Sequence, residues 1–130
     1  MKARIGITSG WEPGTVVEGW PLIYVNKDIV SSIENAGGIP VILPVVENES
    51  LLEHYFDIID GIIVSGEVMS IKRNVVKNGG TNILKNSNPL RYRNEEKAIS
   101  TAIERGIPLL GICRGFQILA VNTGGTVKDE

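Results

Sequence analysis

Hydrophobic residues along this chain gather in short unbroken runs separated by amphipathic stretches. Residues 3–8 (ARIGIT), 39–43 (IPVIL), 58–64 (IIDGIIV) and 107–112 (IPLLGI) have the length and β-branched character of strands. They do not alternate apolar with polar, so they read as strands buried on both faces. Helical patterns lie between them. From Asn26 onward, Ile29, Val30, Ile33 and Ala36 share one face, and Gly37-Gly38 ends the helix. Residues 50–56 (SLLEHYF) predict a short helix. Residues 90–105 predict a charged amphipathic one with Ala98, Ile99, Ala102 and Ile103 inward. Residues 114–123 are apolar almost all round, which predicts a buried helix, stopped by Asn122-Thr123-Gly124-Gly125. Gly10, Pro13, Gly14, Gly19 and Pro21 make residues 9–21 irregular.

The alternation of strand and helix predicts an α/β fold. Its sheet is doubly wound and mostly parallel, with helices on both faces. Residues 1–130 form a single domain with no internal repeat. Residues 66–89 are a long polar connection. Loops of that length in compact domains are functional or disordered. Residues 75–84 offer an alternative, a small hairpin turning at Asn78-Gly79.

Charge and composition exclude more than they assign. Thirteen basic residues against fifteen acidic give a net charge of -2, without the basic excess that holds a nucleic-acid backbone. The longest apolar runs, IPVILPVV and IPLLGI, fall far short of a membrane span. The opening MKARIGITSG lacks the apolar segment of a signal peptide, so the cytoplasm is the default location. Lys72, Arg73, Lys77, Lys85, Arg91 and Arg93 make the 66–93 stretch locally basic. That suits either attraction of an acidic substrate carboxylate or a plain solvated loop. Thr8-Ser9-Gly10 after the first strand is a weak candidate phosphate cradle.

The single cysteine cannot form an internal disulfide, so Cys113 needs another explanation. It sits in Gly111-Ile112-Cys113-Arg114-Gly115, between a predicted strand and a predicted helix. This is G-x-C-x-G, the thiol form of the nucleophile elbow. A sharp strand-to-helix turn forces its central residue into a strained conformation and brings backbone too close for side chains on either flank. It lifts the sulfur out at the carboxyl end of the sheet, where α/β folds bind ligands. The helix amino end favours thiolate over thiol, as does a nearby cation such as Arg114. The Arg114 amide is placed to donate to an oxyanion. The alternative is a small buried hydrophobe, the commoner fate of a lone Cys.

With Gln117 and Gly124-Gly125-Thr126 added, the segment resembles the class I glutamine amidotransferase superfamily, in its γ-glutamyl hydrolase branch. The resemblance runs through Ile5-Gly6-Ile7-Thr8, Ala36-Gly37-Gly38-Ile39-Pro40-Val41, Leu43-Pro44 and Asp60-Gly61-Ile62-Ile63-Val64-Ser65-Gly66. It continues at Arg91 and Glu95 before the elbow. It implies a flavodoxin-like sheet and a cysteine-dependent amidase that needs no metal or organic cofactor. Cys113 would attack a small γ-glutamyl amide, and water would cleave the resulting thioester. The backbone amides of Arg114 and Glu67 would form the oxyanion hole, and Gly66 and Gln117 would bind the substrate.

The family takes its base from a His, oriented by an acid, in the C-terminal part of the domain. The one histidine here, His54, lies in a predicted helix well before the elbow. Glu67 replaces a second glycine after Gly66, and Tyr92 replaces an aspartate after Arg91. The resemblance therefore implies the N-terminal part of such a domain. A C-terminal segment or a second chain would complete it. Apolar surface at Phe116, Leu119 and Val121 points to a homo-oligomer or a bound partner. The rival reading is an inactive binding or scaffold protein that kept the fold.

Overall fold

The computed structural model describes residues 1–66 and 88–127. The Glu67 amide, the basic residues between 72 and 85, and the hairpin expected over 75–84 all lie outside the described residues.

Strands β1 (Arg4–Thr8), β4 (Ile39–Leu43), β5 (Gly61–Val64) and β6 (Leu109–Gly111) form one sheet in the order β4-β1-β5-β6. Every pairing in it is parallel, with Ile7 beside Ile42 and Ile63, and Ile63 beside Leu110. The chain steps from β1 to one side and then to the other. The two directions diverge between β1 and β5, the kind of switch point where parallel α/β sheets open a crevice. Strands β5 and β6 are shorter than the apolar runs that predict them. Residues 58–60 turn out of helix α2 (Leu52–Tyr55), and Ile107-Pro108 still belong to the approach from the preceding helix.

Helix α1 (Lys27–Asn35) starts at Asn26, whose side chain accepts from the Asp28 amide, and ends at left-handed Gly37. Helix α3 (Pro89–Arg105) starts with Pro89 after Asn88 and ends at left-handed Gly106. Helix α4 (Arg114–Asn122) follows the elbow. Ile33 of α1 faces the Ile5 and Ile63 side of the sheet. Helices α2 and α3 cover the other side, where Leu43, Phe56, Ile59 and Ile62 pack with Ala98 and Ala102. Helix α4 adds a second cluster there, with Val64, Tyr92, Ile99 and Ile118 buried together. The α/β sheet with helices on both faces is thus the observed architecture.

Four sequence expectations need correction. Residues 9–21 are not wholly irregular: β2 (Gly10–Glu12) and β3 (Leu22–Tyr24) pair antiparallel as a separate ribbon. Helix α4 is not buried almost all round: it buries only Arg114, Gly115 and Ile118, and of the apolar surface expected on it Phe116 is 64% exposed while Leu119 and Val121 pack partly buried against the second cluster. Ile103 is exposed, one position off the stripe that packs on the sheet. The main strands are not buried throughout, since Ile42 and Leu110 are exposed on the α1 side.

Candidate active site

The carboxyl ends of the strands are stitched by small polar side chains. The Ser65 amide donates to Thr8 Oγ1 at 2.9 Å, and Ser65 Oγ donates to the Thr8 carbonyl at 2.6 Å. Ser9 Oγ donates to the Leu43 carbonyl at 2.6 Å. These bonds satisfy backbone groups where the ladder stops. They also engage the hydroxyls that a phosphate cradle at Thr8-Ser9-Gly10 would need, so that expectation is not supported.

One strand over, the chain leaves β6 and turns at once into α4. Cys113 sits at φ 52 and ψ -114, and it is the only non-glycine residue with positive φ among the described residues. Its thiol is exposed, which removes the core-residue explanation. Close packing explains the flanking glycines. A Cβ on Gly111 would stand 2.7 Å from the Gly115 carbonyl oxygen and from Phe116 Cα, and one on Gly115 would overlap the Val64 carbonyl. The turn is therefore locked against the end of β5.

Gly66 forms the facing wall. A Cβ there would lie 3.1 Å from Cys113 Cβ, 3.3 Å from the Ile112 carbonyl oxygen and 3.9 Å from the Arg114 backbone nitrogen. Gln117 is half-buried on the first turn of α4, and its backbone N–H donates to the Cys113 carbonyl at 3.2 Å. Cys113, Arg114, Gly66 and Gln117 are thus brought together. His54 is not. It is exposed on α2, where the neighbouring Glu53 pairs with Lys97 farther along α3.

The Arg114 side chain corrects one expectation. It does not lie beside the sulfur as an unscreened cation. It is buried, and Nη1 donates to both Glu95 carboxylate oxygens at 2.6 Å. Arg91, expected in a basic patch, is also buried. Its Nε pairs with Glu95, and Nη2 donates to the carbonyls of Ser65 at 3.2 Å and Gly66 at 3.1 Å. A charge committed to these partners cannot attract substrate from solvent. Tyr92 fills the core beneath α4, and burial raises its phenol above the usual range, with Glu96 adding to the effect.

Sequence reasoning placed Arg91 and Glu95 before the elbow and missed what they do. The signal was present. Positions 91, 95, 98 and 102 follow helical spacing, so two charges sit on the stripe that must be buried. The β2–β3 ribbon also went unread, although it borders this end of the sheet. Trp11 Nε1 donates to Asn88 Oδ1 at 2.6 Å, and Asn88 Nδ2 returns a bond to the Trp11 carbonyl at 3.1 Å. Among the described residues, no group of three or more His, Cys, Asp or Glu could hold a metal ion, and no helix is long and apolar enough to cross a membrane.

The Peptidase C26 profile matches residues 4–130, which includes every element above. The chain belongs to the Peptidase C26 family. Its similarity to a γ-glutamyl-γ-aminobutyrate hydrolase of Escherichia coli O157:H7 is 34% identity over 107 residues, covering 82% of this chain and 41% of that protein. A protein of Rickettsia prowazekii named for its likeness to glutamine amidotransferases is 32% identical over 108 residues, 83% of this chain and 38% of its own length. A similarly named Lactococcus lactis subsp. cremoris protein is 31% identical over 107 residues, 82% of this chain and 56% of its own. This Peptidase C26 chain therefore spans about two fifths to just over half of these relatives.

Proposed function

We propose that this chain carries the nucleophile half of a cysteine-dependent γ-glutamyl amide hydrolase. The observation that carries the reading is the exposed, strained Cys113 on a strand-to-helix elbow walled by Gly66. Membership of the Peptidase C26 family, and similarity to a γ-glutamyl-γ-aminobutyrate hydrolase, support small γ-glutamyl compounds as the substrate class.

The Cys113 thiolate attacks the γ-carbonyl carbon, and the carbonyl electrons move onto oxygen. The Arg114 amide and the peptide leaving Gly66 (the Glu67 N–H) receive that oxyanion. Collapse breaks the C–N bond, and the amine departs with a proton from a general acid. Water then cleaves the γ-glutamyl thioester, releasing glutamate and the thiol. Gly66 and Gln117 line the acyl site, and no organic cofactor or metal is invoked. The base and acid must come within hydrogen-bond reach of the sulfur. His54 does not meet that requirement, so a C-terminal half or a second chain supplies them. The rival reading, an inactive binding protein, draws on that same placement of His54.

An activated ester separates the two readings, because p-nitrophenolate leaves without a protonating partner. With γ-glutamyl p-nitrophenyl ester, intact mass should show one γ-glutamyl group on the chain, absent in Cys113→Ser. A thiol that reacts with iodoacetamide but never accepts the γ-glutamyl group would favour the binding protein.

A further inference from the structure

Three charged side chains meet beneath the elbow, and all three are buried. Arg91 is 0% exposed, Glu95 1% and Arg114 6%. Burying charges is costly even when they are paired, and apolar side chains of similar volume often serve stability as well or better. Stability alone therefore gives a poor account of this cluster. Its geometry gives a better one.

Glu95 is the hub. One carboxylate oxygen accepts from Arg91 Nε and Arg114 Nη1, and the other accepts from Arg114 Nη1. Arg91 then reaches out of the cluster, with Nη2 on the carbonyls of Ser65 and Gly66. A guanidinium presents its donors in a rigid plane, so one edge can hold a carboxylate while another nitrogen holds two carbonyls. A lysine ammonium, a point donor on a flexible stem, cannot reproduce that. Gly10, the first residue of β2, leaves room for the clamp: a Cβ there would lie 2.8 Å from Arg91 Nη1.

The network thus grips both walls around the sulfur from behind. One wall is the Ser65-Gly66 segment. The other is Arg114, first residue of α4, whose backbone nitrogen faces Gly66. We propose that Arg91 and Glu95 are positioning residues for acyl transfer at Cys113, holding the Gly66 wall and the start of α4 at one fixed spacing. The inference rests on the γ-glutamyl reading above. Neither residue touches substrate: Arg91 acts through the Ser65 and Gly66 carbonyls it holds, and Glu95 through the two guanidinium groups it joins.

The test compares the unmodified chain with Arg91→Lys and Glu95→Gln, using γ-glutamyl p-nitrophenyl ester. In this step the Cys113 Sγ–C bond forms, the ester C–O bond breaks, and p-nitrophenolate leaves with the electron pair while the thiol proton passes to solvent. Displacement of an oxyanion wall should lower the limiting acylation rate about ten- to hundredfold. Half-saturation should change much less, and the iodoacetamide rate at Cys113 should stay near that of the unmodified chain, since simple alkylation uses no oxyanion hole. Thermal unfolding of each variant checks that the fold survives. Equal acylation in variants and parent would overturn the positioning role alone. So would acylation and alkylation falling together with the melting temperature, which marks a structural role only. No acylation of the unmodified chain, with its thiol still open to iodoacetamide, would overturn the γ-glutamyl reading and this inference with it.

Discussion

Gly115 lies against the carbonyl of Val64 so closely that a single added carbon would overlap the oxygen. The obstacle is backbone at the end of a paired strand, not a side chain that can swing away. Gly115→Ala must push α4 off β5 or bend the elbow. The expected loss is about 3 kcal/mol, at the upper end for overpacking. Urea unfolding reads this as a lower midpoint at unchanged slope. A midpoint equal to that of the parent would mean the approach is looser than described.

The buried cluster makes a prediction with two arms. Glu95→Ala leaves two guanidinium groups facing each other without their shared carboxylate, and should cost about 3–5 kcal/mol. Replacing all three charges, as Arg91→Met, Glu95→Leu and Arg114→Met together, should recover most of that loss or exceed the parent's stability. Thermal unfolding of both variants decides the matter. A triple variant as unstable as the single one would show that the cluster holds the fold itself.

Much of this architecture is legible in the sequence because parallel strands and their helices carry strong local signals. Residues 39–43 and 89–105 are found almost to the residue, since Pro44 and Asn88-Pro89 punctuate them chemically. The elbow is legible for the same reason: Gly111 and Gly115 are required by contacts within a few residues. What escapes is set by distance along the chain. The β2–β3 ribbon has strands of three residues each and owes its place to Asn88, far away in sequence. The Arg114 side chain looks like an activating cation until α3 brings Glu95 to it. Pattern reading also assumes that both sheet faces are covered, so it overstates the burial of α4 and of Leu110.

Glu12 organises the loop of the ribbon. Its Oε2 accepts from the Thr15 amide at 2.6 Å, the Thr15 hydroxyl at 2.7 Å and the Gly14 amide at 3.0 Å. These donors, with the Thr15 amide foremost, hold its carboxyl below the usual range. A lowered folded-state value means the unfolded chain binds the proton first as the pH falls. The stabilisation is therefore complete above the unfolded carboxyl value and lost as the pH drops through the folded one. Glu12→Gln keeps an acceptor oxygen and removes the charge. The parent should exceed it in urea midpoint at neutral pH, with the gap closing on acidification. A gap independent of pH would assign the loop to packing and not to the charge.

The α1 side of the sheet is only partly covered. Ile5, Ile33, Ile63, Pro108 and Leu110 line an apolar cleft of about 650 Å³, and Leu110 is 57% exposed at its rim. Strand β6 pairs only with β5 among the described residues. On α4, Phe116 adds a second exposed apolar side chain. Apolar surface gathered in this way tends to be covered by association. The chain alone should therefore self-associate, and sedimentation velocity should show species larger than the monomer. Leu110→Glu with Phe116→Ser should shift the distribution toward monomer at equal concentration. Because both side chains already face solvent, the urea midpoint measured on that monomer should move by no more than about 0.5 kcal/mol equivalent. A parent that sediments as a single monomeric species would remove the argument for a partner on these faces.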